Sequence, residues 1–186
     1  MNEERLKFRM YFFVPYNISP IQQAIQAGHA ALEYAYHYGN SPEYLSFIKN
    51  DKTWIILNGG TTNSERGDDL VSIGTLNQIA DQLSLGDGIA GPISHAYFRE
   101  PDLENALTAV CFLADERVWD YETYPDFIDF YANLFPDDMT PQRRIELRLK
   151  SENDLRFLPY YDQWVESLGG VNNVFLRQLL KGKKLA

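Results

Sequence analysis

The chain has 186 residues, of which 45% are hydrophobic and 14% aromatic, which is enough apolar material for a substantial core and excludes a disordered or fibrous protein. Its formal net charge of -9 disfavours a broad phosphate-binding surface, because nucleic-acid affinity rests mainly on lysine and arginine side chains. No segment approaches the roughly 18 consecutive apolar residues of a membrane span, and residues 1–5 lack the basic and then apolar order of a signal peptide. We therefore expect a cytoplasmic protein that has no membrane partner.

The first strand and the first helix hold the most informative residues. The apolar run at residues 10–14 predicts a strand over residues 7–14. Ser19 followed by Pro20 is typical of a helix N-terminus, which predicts a helix over residues 19–38. In open α/β sheets, ligands bind at the carboxyl ends of strands, where this junction lies. The face that packs on the sheet is predicted from an apolar stripe at helical spacing, formed by Ile21, Ile25, Gly28, Leu32 and Ala35. A neighbouring polar row consists of Gln22, Gln26, His29 and Glu33.

Apolar strand-like runs alternate with helix-sized intervals along the first two thirds of the chain. Strands are predicted over residues 7–14, 53–58, 93–98 and 107–114, and helices over residues 19–38, 41–49 and 76–83. This alternation is typical of the α/β class. We expect the strands around Phe12, Ile55 and Val110 to be central, because they are apolar on both faces, and the mixed run near His95 to lie at an edge.

The pattern changes after residue 118, where the strand-like runs stop. Residues 119–135 form an acidic, aromatic and amphipathic stretch. Further helices are predicted over residues 141–150, with Thr140 as the N-cap, and over residues 160–168 and 171–180. We therefore expect an α/β domain over residues 1–118 and a helical C-terminal extension over residues 119–186.

Residue types that hold metals and nucleotides are sparse in this sequence. The three histidines and the single cysteine are not at metal-ligand spacing, and there is no P-loop, dinucleotide fingerprint or nucleophile elbow. Cys111 lies in an apolar run, which favours burial over nucleophilic catalysis. The sequence therefore predicts neither a metal site nor a cofactor.

Two polar groups remain as candidates for chemistry, and each has a structural alternative. His29 is either a functional imidazole or a partly buried side chain that is hydrogen-bonded to Glu33 one turn later. Glu100 is either a carboxylate that orients an imidazole or a water, with Thr108 donating a hydrogen bond, or part of an acidic turn that Asp102 closes locally. The residues alone leave both pairs of alternatives open.

Residues 24–31, with the sequence Ala-Ile-Gln-Ala-Gly-His-Ala-Ala, resemble the first helix of the type 2 peptidyl-tRNA hydrolases, the archaeal and eukaryotic kind. In that family an apolar strand precedes a helix that reads roughly Ala-Ala-Gln-Cys-Ser-His-Ala-Ala, and a later Asp-Ala-Gly-x-Thr loop precedes a final strand with a threonine near its start. Here residues 97–102 and 107–110 occupy the positions of that loop and strand. The resemblance covers about residues 7–114 and implies a three-layer α/β/α sandwich with a four-stranded mixed sheet.

The same resemblance implies hydrolysis of the ester that joins a peptide to the 3′ ribose of tRNA. Carried over position by position, it gives the catalytic candidates His29, Glu100 and Thr108. The substrate-binding candidates are Gln26, Gln22 and Asp102.

The chain also departs from the family pattern. The lysine of the family's first loop falls near Pro20 or Gln22 and is not retained, the family's aspartate corresponds to Glu100, and the glycine-rich loop is lost. Without that lysine, the site lacks a cation suited to a phosphate or a developing oxyanion. We interpret these departures as those of a divergent, phage-encoded branch that kept the scaffold while its ligand changed.

Two hypotheses for function follow from the sequence. In the first, the chain is a hydrolase in which His29 or Glu100 transfers a proton, Gln26 positions the substrate and Thr108 stabilises charge; its partner is tRNA, which the net charge disfavours, or a carrier of a related ester. In the second, it is a non-catalytic binding protein that uses residues 119–135 as a surface for a protein partner or for its own dimer, because exposed aromatics rimmed by charge mark interfaces. The sequence does not decide whether the chain is an enzyme.

Overall fold

The computed structural model describes residues 6–63 and 74–186. The expectation that the chain lacks a signal peptide concerns residues 1–5, which lie outside the described residues. The chain divides into two compact units, of which the first comprises Met1–Glu116 with Leu179–Ala186 and the second comprises Arg117–Gln178. The second unit thus begins two residues before the expected start of the extension, and the C-terminal residues belong with the sheet.

Strands and helices alternate in the first unit, and short helices make up the second. The strands are β1 (Phe8–Pro15), β2 (Trp54–Gly60), β3 (His95–Glu100) and β4 (Ala106–Asp115). The helices up to β4 are α1 (Pro20–Tyr38), α2 (Pro42–Ser46), which continues into a π-helical turn (Phe47–Asp51), and α3 (Thr75–Leu85). The later helices are α4 (Glu116–Trp119), α5 (Phe127–Leu134), α6 (Pro141–Arg148), α7 (Glu152–Leu155), α8 (Tyr161–Ser167) and α9 (Val171–Leu180). No helix in this described part of the chain has the length and apolar character that crossing a bilayer requires.

The four strands form one mixed sheet in the order β2-β1-β4-β3. Strand β1 is parallel to β2 and antiparallel to β4, and β3 is antiparallel to β4. Because side chains alternate along a strand, Met10, Phe12 and Val14 lie on the face that packs against α1. Phe13 lies on the opposite face, close to Leu76 of α3. The predicted α/β/α sandwich with a four-stranded mixed sheet is confirmed.

The edges of the sheet differ from the prediction at one strand. The run near His95 is the edge strand β3, as expected, but β2, which holds Ile55, is also terminal in the strand order. The C-terminal tail lies along β2, where Leu185 forms an antiparallel bridge with Leu57 and the Asn58 N–H donates to the Lys184 carbonyl over 2.9 Å. This tail pairs part of an edge that would otherwise expose unsatisfied backbone groups.

Helix α1 is rotated away from the predicted orientation. The prediction that the apolar stripe faces the sheet is wrong, since Ile21, Ile25 and Leu32 are 74%, 51% and 69% exposed. The buried residues of α1 are Gln23, Gln26, Ala27, Ala30 and Tyr34. These positions also recur at helical spacing, and the small side chains of the two alanines let the helix lie close to the strands.

The start of α1 follows the prediction and fixes where the helix begins. The Ser19 hydroxyl accepts a hydrogen bond from the Gln22 N–H over 3.3 Å, and the Gln22 side-chain oxygen accepts one from the Ser19 N–H over 3.1 Å. This reciprocal capping box satisfies two backbone donors at the helix N-terminus. The buried Gln23 amide nitrogen then donates to the Pro15 carbonyl over 3.1 Å, which ties the helix to the end of β1.

The second unit has its own apolar cluster and a buried arginine. Phe127, Trp164 and Leu168 are among the buried residues of this cluster. Arg177, which is 3% exposed, donates from one terminal nitrogen to the carbonyls of Arg117 over 2.9 Å and Tyr124 over 2.8 Å. Its other terminal nitrogen lies 3.2 Å from the Asp126 carboxylate, and its guanidinium carbon lies 4.1 Å from the centre of the Tyr121 ring. One guanidinium therefore joins separate turns of this unit, which suits its planar fork of donors.

Gly28 gives a test of the orientation of α1, and Gly59 on β2 is the crowded glycine with which it is compared. A Cβ added at Gly28 meets nothing within 4 Å, so Gly28→Ala should raise the free energy of unfolding by about 0.5–1 kcal/mol through helix propensity. A Cβ at Gly59 would lie 2.8 Å from Leu76 Cδ1, so Gly59→Ala should lower it by about 1–3 kcal/mol. Urea unfolding followed by circular dichroism measures both, and destabilisation by Gly28→Ala would contradict the observed rotation.

Replacing Arg177 should destabilise the second unit in graded steps. Arg177→Met leaves two carbonyls and a carboxylate without their donor and should cost about 3 kcal/mol. Arg177→Lys keeps the charge but loses the fork and should cost less. Tryptophan fluorescence during urea unfolding, with the exposed Arg148→Met as the control, measures the difference. An equal decrease in the free energy of unfolding in all three variants would contradict the role assigned to the guanidinium.

Candidate functional site

The Gln26 side chain joins two other residues that the sequence singled out. The Thr108 hydroxyl donates to the Gln26 carbonyl oxygen over 2.6 Å, and the Gln26 amide nitrogen donates to a Glu100 carboxylate oxygen over 2.7 Å. Gln26 and Thr108 are buried, while Glu100 is half-buried. Residues that are 74 and 82 positions apart in the chain thus form one directed hydrogen-bond network, which runs from a hydroxyl through an amide to a carboxylate.

A β-bulge sets the position of Thr108 within this network. In the β3–β4 ladder, Phe98 pairs with Ala109 but the next residue, Arg99, pairs with Leu107. Thr108 is therefore the additional residue, without an opposite partner, that defines a bulge. Its hydroxyl also lies 3.3 Å from the Phe98 carbonyl, on the strand opposite. The bulge lets Thr108 turn its hydroxyl towards α1 while β4 continues as a strand.

The network forms part of an open pocket of about 260 Å³. The lining residues are Ile18, Gln22, Gln26, Glu100, Asp102, Leu103 and Thr108. Five of the six predicted site residues therefore meet at one place, between the N-terminal half of α1 and the turn that follows β3. Ile18 and Leu103 supply apolar surface that the sequence analysis did not identify. Leu103 directly follows Asp102 in the 3₁₀ turn Pro101–Leu103, so its position next to a candidate residue could have identified it as part of the site.

His29 is the predicted catalytic residue that does not line this pocket. Its half-buried ring stacks on Phe98, with 4.4 Å between the ring centres and an angle of 20° between the planes. The alternative that paired His29 with Glu33 is not observed either, because the Glu33 carboxylate lies 3.9 Å from the His37 ring nitrogen instead. The structure thus places His29 on the α1–β3 packing surface, one helical turn beyond Gln26.

The pocket has a negative character. Among the described residues that line it, Glu100 and Asp102 carry carboxylates and none carries an ammonium or a guanidinium. The cation nearest in sequence is Arg99, which donates to the Asn105 carbonyl over 3.1 Å and lies 5.7 Å from the centre of the Tyr97 ring. A carboxylate held by an amide N–H, with water access, is suited to accepting a proton from water.

Two of the remaining predictions concern Cys111 and metal binding. Cys111 is buried, its thiol donates to the Ala30 carbonyl over 3.2 Å, and burial raises its pKa to about 12, which disfavours a reactive thiolate. The described residues contain no group of three or more histidine, cysteine or carboxylate side chains placed to hold a metal ion.

Within residues 119–135, Phe127 is a core residue of the second unit and Tyr124, Phe130 and Tyr131 pack against that core. Most aromatic surface of this segment is therefore internal.

The comparisons with known proteins leave the site to be interpreted from its own geometry. No protein-family model matches the chain, and no curated protein matches it. The interpretation therefore depends on the contacts among Gln26, Glu100 and Thr108 and on the pocket that they line.

The Thr108 hydroxyl should contribute to stability as well as to the geometry of the pocket. Thr108→Val keeps the shape of the side chain but leaves the buried Gln26 oxygen without this donor, which should lower the free energy of unfolding by about 1–3 kcal/mol. Thr108→Ser keeps the hydroxyl and should lose only about 0.8 kcal/mol for the missing methyl group. Thermal and urea unfolding measure both. Equal losses would assign the effect to packing and not to the hydrogen bond.

Proposed function

We propose that the chain is a hydrolase of acyl esters, of the kind that type 2 peptidyl-tRNA hydrolases cleave, and that the pocket around Glu100 is its active site. The observation that carries this proposal is the convergence of Gln26, Glu100 and Thr108 in one open pocket. The resemblance to that family selected these three residues from separate parts of the sequence. The pocket is open, so a water molecule and an ester can reach Glu100.

In the proposed reaction, Glu100 takes a proton from a water molecule in the pocket. The water oxygen bonds to the ester carbonyl carbon, and the bond between that carbon and the alcohol oxygen then breaks. Glu100 returns the proton to the leaving oxygen, so that a carboxylic acid and an alcohol are released. The Gln26 amide nitrogen carries two hydrogens, and we assign one to Glu100 and the other to the developing oxyanion.

Thr108 acts in this scheme through Gln26. Because the Thr108 hydroxyl donates to the Gln26 oxygen, it fixes which end of the amide faces Glu100. A flipped amide would set two oxygens against each other and remove the donor from the pocket. Thr108 is therefore a positioning residue, and Glu100 is the residue that handles the proton.

The second candidate function is that of a non-catalytic interaction protein on the same scaffold. The surface that favours it is not residues 119–135, which the sequence indicated, but a face of α1. Residues 119–135 use most of their aromatic side chains internally. The exposed apolar face of α1, formed by Ile21, Ile25, Leu32 and Tyr36, is the kind of patch that marks an interaction site. The activity assay separates the two candidates, since a binding scaffold would release no acyl group.

Glu100→Gln is the sharpest test of the hydrolase. The purified protein should release the amino acid from leucyl-tRNA or from its N-acetylated form faster than the uncatalysed rate. Glu100→Gln should lower kcat/KM by about 10²–10⁴-fold, because an amide cannot accept the proton. Glu104→Gln, on the same turn but outside the pocket lining, is the matched control and should retain activity.

Two outcomes would contradict this assignment. If the wild-type protein at high concentration releases neither acyl group, the hydrolase proposal fails and the interaction scaffold is favoured. If Glu100→Gln retains activity while His29→Ala loses it with folding intact, proton transfer belongs to the imidazole. Circular dichroism of each variant separates loss of activity from loss of fold.

A further inference from the structure

The solvent side of α1 carries apolar residues where a surface helix normally carries polar ones. At 3.6 residues per turn, one side of the helix, opposite to the residues that α1 buries on the sheet, holds the large Ile21, Ile25, Leu32 and Tyr36 and the small Ala24, Gly28 and Ala35. We propose that these residues, the α1 outer face, bind the same face of a second copy of the chain in an antiparallel pair with two-fold symmetry. This inference does not depend on the proposed hydrolase function and gives the second candidate function its partner.

The large side chains are spaced so that the outer face matches itself when it is reversed. Ile21 and Ile25 are four residues apart, seven residues separate Ile25 from Leu32, and Tyr36 follows four residues later. A two-fold axis near Gly28 therefore sets Ile25 of one copy opposite Leu32 of the other. The same axis sets Ile21 opposite Tyr36. Such self-complementarity is what an interface between two identical surfaces requires.

The small residues let a second helix approach closely. A Cβ added at Gly28 would meet nothing within 4 Å, so the middle of the face is open. Ala24 and Ala35 extend this shallow row in both directions along the helix. Helices pack by setting a ridge of large side chains into a groove on the neighbouring helix. Because the outer face has both a ridge and a groove, a second copy supplies the matching half of each.

Charge favours a second copy over a membrane surface. A helix that lies on a membrane usually carries lysine and arginine on its polar face, and α1 contains neither. The net charge of -9 also repels anionic lipids. The outer face itself has no charged side chain, so two acidic copies meet there without bringing like charges into contact.

The size of the face sets the expected strength of the pair. From Ile21 to Tyr36 the helix rises about 23 Å, at about 1.5 Å per residue. The four large side chains along this length are all more than half exposed. Two copies that pair over it bury about 1,000 Å² in total, which is near the lower limit for a specific interface. We therefore expect a dissociation constant in the micromolar range.

Sedimentation of the full chain tests the pairing. The wild-type protein should change from monomer to dimer between about 1 and 500 µM. Added salt should shift this change to lower concentrations, because it screens the repulsion between two copies that each carry a net charge of -9. Leu32→Glu should raise the dissociation constant by about tenfold or more, since it brings two carboxylates into the contact.

Leu85→Glu is the matched control for Leu32→Glu. Leu85 is 76% exposed and Leu32 is 69% exposed, but Leu85 ends α3, on the other side of the sheet. Leu85→Glu should dimerise like the wild-type protein. A wild-type protein that stays monomeric up to the highest concentration, or that binds phospholipid vesicles as a monomer, overturns the proposal. Equal weakening of the dimer in both variants also overturns it.

Oxidative cross-linking tests the position of the two-fold axis. Gly28→Cys places one thiol of each copy beside the axis, so oxidation should produce a covalent dimer. Leu85→Cys should stay largely monomeric at the same concentration. Cys111 does not interfere, because it is buried and burial raises its pKa to about 12. If Gly28→Cys is folded but cross-links no better than Leu85→Cys, the two-fold arrangement is wrong.

Discussion

The buried amide of Gln26 is the interaction on which the candidate site depends. It receives the Thr108 hydroxyl from β4 and donates to Glu100 at the end of β3, so it joins α1 to two strands. A buried amide without partners would cost about 1–3 kcal/mol, and this requirement holds α1 at one rotation on the sheet. The capping box at Ser19 and the bond from Gln23 to Pro15 fix the same helix at its start.

The exposed and the buried faces of α1 differ from what burial energies alone would favour at several positions. Full burial of an isoleucine or leucine side chain contributes about 1.5–3 kcal/mol, whereas an internal hydrogen bond contributes about 0.5–1.5 kcal/mol net. Helix α1 nevertheless exposes Ile21, Ile25 and Leu32, and it buries Gln23 and Gln26 together with Ala27, Ala30 and Tyr34. Proteins depart from the most stable pattern chiefly at functional sites. The buried glutamines and the exposed apolar residues of α1 are therefore the positions where the proposed site and the second candidate function lie.

The sequence predicted the elements of the fold better than the way they face one another. Strand and helix positions, and the caps at Ser19 and Thr140, followed from local patterns, because caps and periodicity depend on neighbouring residues. The sequence did not predict which face of α1 packs on the sheet. Two stripes at helical spacing compete in its sequence, and only tertiary contacts choose between them. The sequence pattern could not predict the bridge between Leu185 and Leu57, because a bridge formed by a single residue pair leaves no periodicity in the sequence. Within the site, the family resemblance selected Gln26, Glu100 and Thr108, whereas the bulge that positions Thr108 has no counterpart in the sequence pattern.

The negative charge of the pocket also constrains how an ester would be cleaved there. None of the described residues that line the pocket carries a positive charge, so in the proposed reaction a developing oxyanion meets the neutral Gln26 donor and not a cation. One neutral donor in an oxyanion site is worth about 2.7–4 kcal/mol, or a factor of about 10²–10³ in rate. In the proposed reaction the position of that amide, which the Thr108 hydroxyl fixes, therefore decides how much of the developing charge is stabilised.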